Sequence, residues 1–207
     1  MIAAILGAIA AACVSYIVDR VRQKRLNDAR LVAEFLYPLQ DDLNSLRLRL
    51  HNIAERGGRA VMDKEYFLET TTFLLVSPIA HQLRLRNAGM YAALRQPFRS
   101  RSRQQLLNLQ NALTRNIPDQ SAAHHYHWAL LAESCFDEAG QVSYRSFAMR
   151  INEELLLHAR QRIYAVVDKL DRYRASELMA NVSEVLSLIA AETRIERMSD
   201  SNPDETQ

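Results

Sequence analysis

The N-terminal segment limits the possible folds of this chain more than any other part of the sequence. No charged side chain occurs before Asp19. The uncharged run Ile2–Val18 (IAAILGAIAAACVSYIV) is 17 residues long. As an α-helix it measures about 26 Å, near the lower limit for crossing a bilayer core of about 30 Å. We therefore predict a transmembrane anchor at residues 1–19.

The charges beside this run predict its orientation. Only Met1 precedes the run, and four basic residues follow it closely, namely Arg20, Arg22, Lys24 and Arg25. By the positive-inside rule, the N-terminus faces outward and the rest of the chain stays in the cytoplasm, as expected of a single-pass bacterial inner-membrane protein. Two cysteines in the whole chain also fit a reducing compartment. A cleaved signal peptide, lipoprotein processing at Cys13 and a helix that is soluble or lies on a surface remain alternatives.

Small residues recur every four positions along the predicted span, at Ala3, Gly7, Ala11 and Ser15. This spacing lets helix backbones approach closely in lipid, where packing drives helix association. An alanine-rich span also shows such spacing by chance. The pattern predicts self-association of several copies through this stripe.

Beyond the anchor, apolar residues follow a helical period nearly everywhere. Only 5 Gly and 5 Pro in 207 residues exclude turn-rich and low-complexity classes. We predict an all-α fold, with a single transmembrane helix followed by a cytoplasmic helical bundle at residues 20–198, which begins with a juxtamembrane helix at 20–37. The polar segment 199–207 is expected to be disordered.

One apolar seam has the 3-4-3-4-3 spacing of a buried helix face, formed by Leu36, Leu39, Leu43, Leu46, Leu50 and Ile53. It predicts packing inside the bundle, with pairing between subunits as the alternative. Pro38 either kinks this helix or begins a new one.

Further helix boundaries follow from capping residues and breakers. Asp63 is the expected N-cap of a helix over 64–86, which Pro78 kinks. A loop is expected at Asp137–Gln141, and Ser143 is expected to open one long helix reaching Tyr173. A last helix is predicted at 176–197.

No catalytic motif occurs in the sequence. Three of the six histidines cluster at His124, His125 and His127, and His158 is expected to approach them from the long helix. A histidine pair needs further converging ligands to hold a metal, so His124 and His127 are only weak candidates and no metal or cofactor is predicted. Glu133 is a candidate buried carboxylate paired with an arginine.

The densest basic patch after the juxtamembrane group consists of Arg95, Arg99, Arg101 and Arg103. Such a patch attracts anionic lipid headgroups or RNA phosphates, or forms a solvated helix face. A formal net charge of +2 gives no chain-wide reason to expect nucleic acid, so a nucleic-acid partner is possible but not favoured.

Three segments carry a resemblance, namely Phe35–Ile53, Thr70–Arg86 and His127–Phe147. They resemble an uncharacterised bacterial family in which an N-terminal membrane helix precedes a cytoplasmic helical domain. In architecture the chain is also similar to the membrane-anchored accessory protein of type VI-B CRISPR systems, a HEPN-like bundle that forms membrane pores and strengthens phage defence. No Arg and His have the Arg-x4-6-His spacing of HEPN nucleases, so the resemblance implies no catalytic residue.

These features together predict a non-enzymatic membrane protein that works by oligomeric assembly, with membrane lipid and further copies of itself as partners and a role in bacterial antiviral defence. Two alternatives stay open. One is a membrane-tethered RNA-binding or RNA-processing domain that uses Arg95–Arg103 and the histidine cluster, and the other is a scaffold or sensor that recruits a cytosolic protein partner.

Overall fold

A computed structural model describes residues 2–56, 63–88, 104, 108, 125–138 and 140–200. Within these, it does not describe the side chains of 2–12, 25, 28, 31, 56, 125, 192 and 194–200. The described chain is nearly all helical, which confirms the all-α class.

The N-terminal third is one unbroken run of helix. Helix α1 spans Ile2–Leu31, a π turn spans Val32–Leu36, and helix α2 spans Tyr37–Arg56. Pro38 therefore neither ends the juxtamembrane helix nor starts an isolated new one. A proline cannot donate the amide hydrogen bond that an α-helix needs, and its ring collides with the carbonyl four residues earlier. The wider π turn directly before Pro38 accommodates both defects.

Helix α3, Lys64–Asn87, lies at the centre of the bundle and contacts the π turn, α2 and three later helices. Asp63 caps it as predicted, because its side chain accepts hydrogen bonds from the amides of Glu65 and Tyr66. Pro78 lies inside the helix and does not interrupt it. Residues on every side of α3 are buried, including the polar Thr71, Ser77 and His81.

The predicted loop after Cys135 contains a small β-hairpin. Helix α4, His125–Glu133, leads into strands β1, Phe136–Asp137, and β2, Gly140–Gln141, which pair antiparallel. Gly140 has φ +128°, a conformation that favours glycine over other residues. Trp128, Leu131 and Cys135 are buried, as the helical pattern predicts.

The single long helix predicted from Ser143 to Tyr173 is wrong. Ser143 does cap a helix, but that helix, α5, ends at Arg150, and α6 begins at Glu154. The Asn152 side chain donates to the carbonyl of Ala148 at 2.7 Å. This hydrogen bond satisfies one of the free carbonyl groups in the last turn of α5. Helix α7 runs from Arg172 to Asp200 and reaches two residues into the predicted tail; the remaining tail, 201–207, lies outside the described residues.

The core seam is confirmed at every position. All six residues from Leu36 to Ile53 that form the seam are buried, mainly against α7, which packs along α2 and reaches the π turn. The guanidinium of Arg172, at the start of α7, donates to the carbonyl of Glu55, near the end of α2, so the two helices run antiparallel. α3 then packs against α2 on one side and against α4 and α6 on others.

Candidate functional site

The most unusual surface of this molecule is helix α1. Every described side chain from Cys13 to Arg30 is exposed, including the apolar Val14, Ile17 and Val18. Apolar side chains normally become buried, and an exposed run of them on one element is typical of a surface that lipid or another protein covers.

The predicted residues of this helix are described only in part. Ser15 of the small-residue stripe is exposed, whereas the side chains of Ala3, Gly7 and Ala11 lie outside the described set. In the basic group, Arg20, Arg22 and Lys24 are exposed, and the side chain of Arg25 is likewise not described.

Among the helices as far as their side chains are described, none has an apolar stretch of the length needed to span a bilayer. Residues 2–12, which make up most of the predicted anchor, belong to the stretch without described side chains.

A stacked cluster of side chains joins the base of α1 to the hairpin. The guanidinium carbon of Arg84 lies 4.4 Å from the ring centre of Phe136 and 5.8 Å from that of Phe35, in the π turn. A guanidinium is attracted to the faces of aromatic rings at such distances. Arg84 at the end of α3 therefore bridges the π turn and strand β1.

Beneath this cluster lies a polar network around one carboxylate oxygen. Asp42 Oδ2 accepts hydrogen bonds from the hydroxyl of Ser77 and, at 2.9 Å, from Nε2 of Gln141. The Gln141 amide also donates to Ser77 Oγ at 2.9 Å. The same oxygen lies 3.1 Å from Nε2 of His81, close enough for an ion pair when the imidazole is protonated, although the geometry is not that of a hydrogen bond. The network ties α2, α3 and the hairpin together.

Asp42, Ser77 and His81 are the residue types of a hydrolase triad, but their arrangement differs from one. In a triad the serine contacts the histidine, and the aspartate holds the other ring nitrogen. Here both Ser77 and His81 approach the same oxygen of Asp42. His81 therefore does not accept a proton from Ser77 as the histidine of a triad does, and the Ser77 hydroxyl donates to the Asp42 carboxylate instead.

Cys135 lies beside this network and is fully buried. Burial raises the pKa of its thiol, the charge of Asp42 raises it further, and Arg150 opposes the shift in part. A thiol reacts as its thiolate, so burial and the raised pKa both lower the reactivity of this cysteine. Arg150 itself holds the hairpin, because it donates to the carbonyl of Phe136 and to Asp137, both at 3.0 Å.

The prediction that His158 approaches the histidine cluster is confirmed by its contact with His127. The rings of His127 on α4 and His158 on α6 lie 5.2 Å apart, and Arg162 Nε donates to His158 Nε2 at 3.4 Å. His124 lies outside the described residues. Within the part of the chain whose positions are given, no three His, Cys, Asp or Glu side chains gather as a metal site would require.

Two further predicted sites have different outcomes. Glu133 is exposed at the last position of α4, so the expectation of a buried, arginine-paired carboxylate is wrong. The basic patch Arg95, Arg99, Arg101 and Arg103 lies wholly outside the described residues.

A half-buried cluster on another side of α3 was not singled out from the sequence. The Tyr144 hydroxyl donates to Glu69 Oε2 at 3.0 Å, and Arg49 donates to Thr70 Oγ1 at 3.1 Å. Burial, followed by the hydrogen bond to Glu69, raises the pKa of Tyr144 to about 12. Burial also raises the pKa of Tyr164 nearby. The sequence signal was weak, since these residues come from α2, α3, α5 and α6.

Comparison of the chain with protein-family models, with curated proteins and with solved structures returns no match in any of the three. The functional proposal therefore depends on the residues and the geometry described above.

Proposed function

We propose that this chain is a single-pass protein of the bacterial inner membrane that acts through oligomeric assembly. Residues 2–18 form the anchor, and the helical bundle lies on the cytoplasmic side. The observation that carries the proposal is the exposure of every described side chain of α1 between Cys13 and Arg30, in a segment that begins with an uncharged apolar run.

The dimensions of α1 support this placement. Its 30 residues measure about 45 Å as an α-helix, of which the uncharged run takes about 26 Å. The remaining part, about 20 Å long, is a charged stalk between the membrane and the π turn. Exposed Arg20, Arg22 and Lys24 lie at the start of this stalk, where anionic lipid headgroups attract basic side chains.

The assembly part of the proposal depends on the same helix. A single helix in lipid gains association energy when small residues allow close backbone contact, and Ala3, Gly7, Ala11 and Ser15 provide such a stripe. The described polar clusters support assembly over catalysis, because Asp42, Ser77 and His81 are not arranged as a catalytic triad and burial raises the pKa of the Cys135 thiol.

Fractionation of cell membranes tests the anchor. Ile9→Arg places a charge near the middle of the run, where insertion costs about 2.5–3.5 kcal/mol more. We expect wild type in the pellet after high-speed centrifugation and carbonate washing, and the variant largely in the supernatant. Leu48→Arg is the matched control, since Leu48 is an exposed apolar residue of the bundle. Wild type in the supernatant without detergent contradicts the anchor.

The mass of the detergent-extracted protein tests assembly. Gly7→Ile places a branched side chain in the small-residue stripe and should shift a discrete oligomer to monomer. Ala12→Ile adds similar bulk five residues on, about 140° around the helix, and should leave the oligomer unchanged. A monomeric wild type, or equal disruption by both variants, contradicts association through this stripe.

The biological role we propose is antiviral defence, in which assembled copies disturb the inner membrane. This role rests on the resemblance of the sequence, in architecture, to the CRISPR-associated pore protein and on the membrane placement proposed above. A voltage-sensitive dye should report depolarisation in phage-infected cells that express wild type but not in cells that express Gly7→Ile. Unchanged polarisation in both resting and infected wild-type cells contradicts this role.

A further inference from the structure

The π turn Val32–Leu36 lies between α1, whose described side chains from Cys13 to Arg30 are exposed, and α2, whose apolar seam is buried. Such turns are rare, and they usually occur singly inside α-helices at functional positions. A π turn holds more residues per turn than an α-helix, so it absorbs about one residue without advancing the helix in rotation. Its presence therefore sets which face of α1 lies above the core seam of α2.

The sequence fits two rotational settings of α1. In an uninterrupted α-helix, residues four and three positions apart lie on one face. Steps of four and three back from Leu36 therefore place Arg22, Val18 and Ser15 on the same face as the core seam. With one residue absorbed by the π turn, Val14, Ile17 and Val21 take that place. The two settings differ by one residue, which is a rotation of about 100°.

The spacing of the buried residues at this place is compatible with both settings. Val32, Leu36 and Leu39 are buried in the present setting. Their spacing of four and three residues also brings them to one face of an ordinary α-helix. The preference for the π turn must therefore come from elsewhere, and Pro38 is one source because it opposes an α-helical turn at this place.

The second source is the contact of Arg84 with two rings. Its guanidinium lies against Phe35 of the π turn and against Phe136 of the hairpin. Phe136 in turn meets His81 edge-on, with ring centres 5.0 Å apart, and Gln141 fastens the hairpin to Asp42. A movement of the hairpin therefore displaces Arg84, and Arg84 contacts the π turn.

We propose that the π turn is a rotational switch for α1, and that Arg84, stacked on Phe35 and Phe136, holds it in the present setting. Release of Arg84 lets the turn relax to an α-helix and turns a different face of α1 toward neighbouring copies. The consequence for assembly rests on the proposed function. The rotation itself does not, because it is measured as a distance within one chain, whether or not the copies assemble.

Distances between spin labels on the full chain test the switch. One label is placed at Ala191→Cys on α7 and the other at Gln23→Cys or at Val21→Cys, in a Cys13→Ser background and in detergent with an excess of unlabelled protein. All three labelled positions are exposed. Residues 21 and 23 lie about 200° apart around the helix. At a helix radius of about 5–6 Å, a rotation of about 100° moves a side chain by about 8 Å.

In Pro38→Ala we expect the two distances to change by several ångströms in opposite directions, because rotation brings one label nearer and carries the other away. Pro38→Ala combined with deletion of the exposed Ala33 should restore both distances, since the chain is then one residue shorter and an ordinary α-helix gives the original phase. Unchanged distances in Pro38→Ala, or changes in the same direction, which indicate bending, overturn the proposal.

Arg84→Ala tests the stacked contact separately. It should add a second population with the distances found for Pro38→Ala, whereas Arg86→Ala, an exposed arginine of the same last turn, should give the wild-type distribution. A single wild-type population in Arg84→Ala overturns the role of Arg84. Trp128 fluorescence and unfolding midpoints verify that each variant keeps its bundle; if the deletion variant does not, Arg84→Ala decides.

Discussion

Helices α1 and α3 differ in a way that their amino-acid content alone does not indicate. α1 begins with seventeen uncharged residues, yet its described side chains are exposed. α3 carries threonines, a serine, a histidine and a glutamine, yet it is buried on all sides through most of its length. The described part of α1, from Cys13 to Arg30, has no covering, and the helix with buried polar residues lies at the centre of the core.

This comparison shows what each helix requires from its surroundings. The buried hydroxyl of Ser77 in α3 needs a partner inside the protein, since a buried polar group without one costs about 1–3 kcal/mol. Asp42 and Gln141 supply partners for Ser77. The described apolar side chains of α1, such as Val14 and Ile17, have no covering from the bundle, which is the physical basis for our proposal that α1 enters lipid.

The largest effect that tests this contrast comes from truncating an apolar side chain in each helix. Leu75→Ala in α3 should lower the free energy of unfolding by about 2–5 kcal/mol, because Leu75 is buried and a cavity remains. Val18→Ala in α1 should change it by less than about 0.5 kcal/mol. Urea unfolding in detergent measures both, with the only tryptophan, buried Trp128, as the fluorescent probe. Similar losses in the two variants would show that α1 packs on the bundle.

The features predicted correctly from sequence are those that local spacing determines. The seam from Leu36 to Ile53 needs only helical periodicity, and the caps at Asp63 and Ser143 need only a side-chain oxygen placed before a helix. The break between α5 and α6 was missed because neither glycine nor proline marks it. Asn152 accommodates the break with a bond to Ala148, and a lone asparagine occurs equally in helices.

The polar network was out of reach of sequence reasoning for a different reason. Asp42 and Ser77 are 35 residues apart, and Gln141 lies 99 residues beyond Asp42. Their contact depends on how α2, α3 and the hairpin pack, which no local pattern determines. Glu133 was misplaced for the same reason, because an apolar neighbourhood in sequence does not specify which side of a short helix faces the core. The contact of His127 with His158 was predicted because both follow helical faces.

An intermediate effect is expected where the polar network holds α3. Asp42→Ala removes the acceptor for Ser77 and the negative charge beside His81, both of which are buried. We expect a loss of about 1–3 kcal/mol in the free energy of unfolding. Asp41→Ala is the matched control, because Asp41 is the neighbouring carboxylate and is exposed. If the free energy of unfolding falls by the same small amount in both variants, the polar network does not stabilise the packing of α3 in the core.

The smallest expected effect concerns the edge of α3 and depends on pH. Tyr144 donates to Glu69, and its pKa is raised to about 12 from an ordinary value of 10.0, first by burial and then by this hydrogen bond. In the unfolded chain a tyrosine loses its proton near about pH 10. Because the folded pKa is the higher one, the contribution of this group to stability is complete below about pH 10 and is lost as the pH rises toward about 12.

Tyr144→Phe removes this titration, so the unfolding free energy of the variant should fall less steeply than that of wild type between about pH 10 and about pH 12. Tyr173→Phe, at an exposed tyrosine, should keep the wild-type slope. Urea midpoints at several pH values measure all three proteins. Equal slopes for wild type and Tyr144→Phe would mean that the Glu69 contact does not hold the phenol protonated. Polar contacts would then stabilise α3 only around Ser77, which contacts Asp42 of α2. The region around Glu69 would contribute as little to the free energy of unfolding as the exposed side chains of α1.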